Sequence, residues 1–235
     1  MSEAQRFTFA GIPYRLVRST RRKRLGLVMA ATGVEVRIPQ RCAERHGHQF
    51  LRDNIQWVRA QLVRADERAR EIPSYLYQLG ETIPWLGRAH RLQRAADPAD
   101  SGVKDGVLAV FTQAREPDAA QLRPALHRLL KREALALLTD KSQELAALTG
   151  VQFCAVKVRR TKTKWGHCSL GGELQYNWLV CLAPEAVVDY LVAHEVSHLH
   201  HHNHSRAFWR QVESVCPNYR ELRRWLRDNG HRLVV

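Results

Sequence analysis

His194, Glu195 and His198 stand in the segment PEAVVDYLVAHEVSHLHHHNHSRAF, residues 184–208. On an α-helix, residues four apart lie one turn above each other, so both imidazoles leave one face and can clamp a single metal ion. Glu195 lies about 100° round the helix from His194 and about 60° from His198, near enough to reach a water on the ion without ligating it. General base is therefore its expected role. His204 follows six residues after His198, which lets the helix end and the chain turn back with a third imidazole. His201 is the rival, on the His194 face if the helix ran on. Seven residues rise about 10.5 Å, however, and nitrogens held about 2.0–2.1 Å from one ion cannot be stacked on three successive turns. Asn203 is the candidate left-handed residue of the turn. The expectation is one zinc ion per chain on His194, His198 and His204, with the fourth position open to water, which is a catalytic rather than a structural arrangement.

The elements that must position these residues can be read on either side. Val187, Val188, Leu191, Val192, Val196 and Leu199 give the histidine helix a wide apolar arc, and Pro184 with Glu185 suits its first turn. Before it, Val156 and Val158 alternate with cations, Leu174, Tyr176 and Trp178 alternate with polar residues, and Gly171-Gly172 marks a turn. This predicts an antiparallel hairpin feeding the helix, which would present Arg160, Lys164 and His167 as candidate substrate or oxyanion contacts. After it come a short helix to about Val215, an interruption at Pro217 and a last helix ending at Asp228-Asn229-Gly230.

Upstream, residues 6–38 read as two antiparallel hairpins with turns at Ala10-Gly11 and Thr32-Gly33, joined by the basic run Arg18 to Arg24. Leu51, Ile55, Val58 and Leu62 predict one helix from about Gly47 to Arg70, closed by Ile72-Pro73, with Trp57 packed beside its stripe. Short strands follow over 75–111. A long helix then opens at Glu116-Pro117 and stops at Gly150, with Leu122, Leu126, Leu129, Leu130, Leu137, Leu138, Leu145 and Leu148 as its buried stripe and Pro124 near its start. No internal repeat stands out. The order predicts an α+β fold with antiparallel β-hairpins: residues 1–115 as an N-terminal β-rich region with one helix and 116–235 as a catalytic core, packed as one compact unit.

The chain has 235 residues and a formal charge of +14, which favours anionic partners without choosing among them. Its five cysteines are odd in number and contain no C-x-x-C pair, as expected of reduced thiols. With no apolar leader near the start and no run long enough to span a bilayer, the reading is cytoplasmic, with no membrane association.

WGHCS, GGELQYN, HEVSH and NHSRAFW, in this order within residues 159–209, resemble the motifs of the YgjP-like metallopeptidase family. The resemblance implies a zincin-like core related to SprT-like proteases, with zinc on His194, His198 and His204 and Glu195 as general base. Trp165, Gly166, Cys168, Ser169 and Asn177 match its hairpin motif, and Asn177 joins the candidate substrate contacts. Lys164 stands where the family usually has Arg, and His167 where it usually has Ser. The function expected is a zinc metallopeptidase acting on a peptide or protein laid along an edge strand at residues 173–180. Two alternatives share the site. One is a pyrophosphatase-like nucleotide phosphohydrolase, its phosphates held by Lys157, Arg159, Arg160, Lys162 and Lys164. The other is a SprT-like protease associated with nucleic acid through weak, non-specific binding.

Overall fold

Alternating residues form strands at the expected places, yet the strands pair in both directions. The computed structural model describes residues 6–30 and 33–235, so Thr32 of the second expected turn and the opening residues 1–5 lie outside it. The chain divides into two compact units, Met1–Glu71 and Ile72–Val235.

In the first unit, β1 (Arg6–Phe9) and β2 (Ile12–Ser19) form one hairpin, and β3 (Gly26–Ala30) and β4 (Gly33–Pro39) form another. The two are joined by parallel pairing of β2 with β4, Leu16 opposite Val36, into one sheet of order β1-β2-β4-β3. A two-residue alternation looks the same whether its neighbour runs parallel or antiparallel, so the sequence could not show this join. Two helices, α1 (Glu44–Asp53) and α2 (Ile55–Glu71), replace the single one expected. Asn54 breaks them apart at φ −112°, its side-chain amide donating to the Phe50 carbonyl at 2.8 Å. Leu51 and Val58 are fully buried with Val36 and Ile38, whereas Trp57, expected in the core, is 45% exposed. One residue of offset is 100° on a helix, and Val58 takes the inward position.

The second unit opens with β5 (Thr82–Trp85), β6 (Arg88–Ala95), β7 (Gly102–Lys104) and β8 (Val107–Phe111), in a sheet of order β5-β6-β8-β7. Its plan repeats the first sheet: hairpin, parallel join, hairpin. The first turns match as well, Ala10-Gly11 and Leu86-Gly87 both having positive φ at each residue. Gly11, Arg15 and Leu16 recur at the same spacing as Gly87, Arg91 and Leu92, too few identities to read as a repeat from sequence alone.

The helix α3 (Ala119–Thr149) is capped at Asp118, whose side chain accepts from the Gln121 amide at 2.8 Å, and ends at Gly150 with φ 70°. Leu122, Leu126, Leu130 and Leu138 form its buried stripe, while Leu148, expected there, is 76% exposed on the last turn. Strands β5 to β8, grouped by sequence with the N-terminal region, contribute Ile83, Leu92 and Leu108 to the core that α3 shares. Next come β9 (Ala155–Arg159), β10 (Gly166–Cys168) and β11 (Glu173–Asn177), then α4 (Glu185–Ser197), α5 (Arg206–Val215) and α6 (Tyr219–Asn229). The hairpin turning at Gly171-Gly172 is β10-β11, and β9 runs parallel to β11 on its other side. The result is a mixed α+β fold with small mixed sheets, and the expectation of antiparallel pairing alone is corrected.

α3 braces the site from behind. Tyr176 of β11 is fully buried, with its hydroxyl 3.0 Å from Ser142 Oγ, and Ser142 in turn donates to the Leu138 carbonyl at 2.6 Å. Lys141 reaches Glu185 at 2.9 Å and Asp189 at 2.7 Å, two α4 residues one turn apart.

Candidate active site

α4 is buried almost all round: Val187, Val188, Leu191, Val192 and Val196 each expose 4% or less. A helix sunk this deep holds its end residues in fixed places. Its last turn tightens, with the amides of His198, Leu199 and His200 bonding to carbonyls three residues back. His198 therefore sits at the helix terminus, and the chain can leave the axis at once. Asn203 makes the expected turn by a different device from the one expected. It is not in the left-handed region, and its side-chain oxygen accepts from the Ser205 amide at 3.1 Å. Ser205 then caps α5, directly after His204.

The three imidazoles form a near-equilateral triangle, with ring centroids 4.9, 5.0 and 4.8 Å apart. One ligating atom from each lies within 4.8 Å of the others, so the three can hold a metal ion. α5 supplies the backing. Phe208, fully buried, stacks on the His198 ring at 4.4 Å, and Trp209 stacks on His204 at 5.7 Å. His198 Nδ1 is 2.9 Å from the His201 carbonyl, which fixes the ring and leaves Nε2 for the ion. His201 thus contributes its backbone, and His200 is held at 3.2 Å from the Thr149 carbonyl.

Burial pushes the His194 imidazole down to about 3, helped by the charges of His198, His204 and Arg223. His198 and His204 are lowered too, each chiefly by burial. All three are neutral in neutral solution, which is the ligating form. The Glu195 carboxyl, 3% exposed, is raised to about 8 by burial, against the opposing charge of Lys164. Its Oε2 is buried without a hydrogen-bond partner among the described residues. A nearby cation would favour the ionised form. The nitrogens of His194 and His204 stand 3.1 Å apart, close to the roughly 3.3 Å edge of a tetrahedron with ligand bonds of 2.0–2.1 Å. Donor set, spacing and orphaned carboxylate oxygen together fit a divalent ion.

β10 covers Glu195. A methyl group at Gly166 would lie 2.6 Å from Glu195 Cγ, so only glycine lets the strand pass this close. The resulting cleft, about 510 Å³, is lined by Lys164 to Cys168, the three histidines, Glu195, Tyr190 and the α6 residues Arg223, Leu226 and Arg227. Of the candidate substrate contacts, Lys164 and His167 line it. Arg160 and Asn177 line an adjoining cavity, and both Asn177 amide atoms are engaged, with the Thr161 carbonyl at 3.1 Å and the Leu179 amide at 3.2 Å. Lys157 is paired with Glu173. Tyr190, Arg223 and Arg227 were not foreseen as parts of the site. For the two arginines the signal was their helical spacing in the last element, which shows a basic face but not what it faces.

The histidine cluster is one that could hold a metal ion, as a metal-dependent hydrolase requires. More particularly, the chain belongs to the YgjP-like family, whose model, described as "YgjP-like, metallopeptidase domain", matches residues 23–229. A solved structure, the metallopeptidase zymogen abylysin of Pyrococcus abyssi, is 26% identical, with 41% of this chain and 99% of that chain covered and a TM-score of 0.37. No curated protein matches the chain. Among the described residues, no helix is long and apolar enough to cross a membrane.

Proposed function

We propose that the protein is a zinc metallopeptidase of zincin-like design. The observation that carries this reading is the histidine triangle with Glu195 buried beside it under Gly166. A divalent ion held by His194, His198 and His204 supplies a Lewis acid for a substrate carbonyl and acidifies water next to Glu195. Three neutral imidazoles leave the ion its full charge, and histidine nitrogen at this spacing suits zinc.

Glu195 removes a proton from the water that attacks the scissile carbonyl and delivers a proton to the departing amine nitrogen as the C–N bond breaks. Its burial keeps bulk water from competing for that proton. Lys164 and His167, at the cleft wall, can donate to the oxygen that becomes negative. The peptide cannot add to β11 at 173–180, because β11 is the central strand and residues Trp178–Leu182 form a 3-10 turn. The sheet's outer edge on the cleft side is β10, and a peptide backbone pairing there lies over Glu195. Of the cation cluster behind the phosphohydrolase alternative, Lys164 lines this cleft, Arg160 and Lys162 line the adjoining cavity, and Lys157 is paired with Glu173.

Glu195→Gln tests the reading. Hydrolysis of casein-derived peptides should fall by about 10²–10⁴-fold while bound zinc stays at one ion per chain. Turnover within a few-fold of the unaltered protein would refute the role given to Glu195.

A further inference from the structure

The cleft does not end at the histidines. Beside the N-terminal half of α6 it continues into a cavity of about 610 Å³ walled by Trp209, Tyr219 and four arginines: Arg220, Arg223, Arg224 and Arg227. Past Trp165 it opens into another of about 560 Å³, between Arg160, Lys162 and Lys164 on one side and the end of α6 on the other. Arg223 and Arg227 are shared with the first cavity, and Lys164, Trp165, Leu226 and Arg227 with the second, so the three form one groove.

Positions 220, 223, 224 and 227 fall on one face of a helix. Glu195 is the sole carboxylate among the residues lining the whole groove. Arg220 is paired with Glu213 at 2.7 Å and Arg227 with Asp228 at 2.8 Å, both in exposed positions where such pairs are weak. Among the described residues Arg160, Lys162, Arg223 and Arg224 form no ion pair with a carboxylate, and Lys164 faces the charge of Glu195. Unpaired like charges around a cleft raise the local concentration of anions and repel cations.

We propose that this groove selects peptides bearing acidic side chains on both sides of the bond to be cut. The proposal rests on the peptidase reading above and names its substrate class. From Arg220 to Gly230 the α6 wall runs about 15 Å, the length of about four to five residues of extended peptide, with Arg220 and Arg224 lining one cavity that adjoins the cleft and Arg160 and Lys162 the other. A nucleic acid would also supply anions, but single strands are held by open aromatic faces. Here Trp209 is stacked on Tyr219 at 5.2 Å with Arg223 over its ring at 4.6 Å. Trp165 is covered by the chain at Gly230, where a methyl group would lie 2.8 Å from its ring.

The test uses three fluorescent eight-residue peptides of the same backbone, acidic, neutral or basic at the flanking positions, and a single-stranded oligonucleotide of matched charge. Binding is read by anisotropy on the full-length protein without added metal, and cleavage on the zinc-loaded protein. The acidic peptide should bind about tenfold or more tightly than the neutral one, with the margin shrinking as salt rises. Arg224→Glu combined with Lys162→Glu, both exposed positions, should erase that margin, so that the acidic peptide binds no more tightly than the neutral one. Equal binding of acidic and neutral peptides, a preference that survives the double reversal, or an oligonucleotide that binds as tightly as the acidic peptide would each overturn the proposal. Acidic selectivity in binding with no cleavage of any peptide would leave the groove's preference standing and remove the peptidase reading instead.

Discussion

Gly166 has little freedom to change, because its missing side chain is the space Glu195 occupies. Gly166→Ala should push the carboxylate aside while leaving the histidines where they are. Peptide hydrolysis should then fall by about 10²-fold, the cost of roughly 1 Å of misplacement, with zinc content unchanged; loss of zinc along with activity would show that the strand holds the histidines too. The third ligand can be checked at the same scale. After dialysis against a weak chelator, His204→Ala should lose its ion and His201→Ala should keep it, since only the backbone of His201 meets the site. The opposite pattern would reverse the assignment. His194, Glu195, His198 and His204 were legible because their chemistry depends on spacing along one segment. Arg223 and Arg227 were not, because only tertiary packing turns α6 toward the cleft. Nor was the device at Asn203, whose residue type favours a turn equally by backbone conformation or by side-chain bonding.

Helix positions were legible wherever a stripe and a terminal signal agreed, as in α3 with its Asp118 cap and Gly150 stop, or α4 behind Pro184. Strand pairing was not, because alternation shows which face is buried but not which neighbour covers it. β9 matched the expected strand, yet it lies parallel to β11, with Val156 and Val158 opposite Leu174 and Tyr176. α5 shows how one element serves both fold and site. Phe208 is buried in the core and is stacked on His198. Phe208→Ala should destabilise the second unit by about 3–5 kcal/mol, measured by denaturant unfolding, through the cavity it leaves. Zinc affinity should fall with it, because His198 loses the ring it stacks on and His194 and His204 lose edge contacts. Unchanged affinity in the folded variant would show that the loop alone orders His198 and His204.

The division between Glu71 and Ile72 places every residue of the candidate site in the second unit. A fragment of residues 72–235 should therefore fold, bind one zinc ion and cleave peptides within a few-fold of the whole chain, as followed by circular dichroism, metal analysis and peptide turnover. A fragment that folds but is inactive would assign part of the catalytic function to the first unit. The recurring sheet plan bears on this, since β5 to β8 rebuild within the second unit what β1 to β4 form in the first, and they share a core with α4. The position of His204 has one more consequence, a thermodynamic one. It lies ten residues beyond His194, so an ion gripping both would close a ring around the end of α4. Loading and folding are then linked equilibria: once free ion exceeds its dissociation constant, each further tenfold adds about 1.4 kcal/mol to the closed form. In ion-poor surroundings that closure is lost, and cutting by another protease should then begin within residues 199–205, as limited proteolysis with and without zinc would show. The working life of each molecule would then follow the supply of the ion it uses.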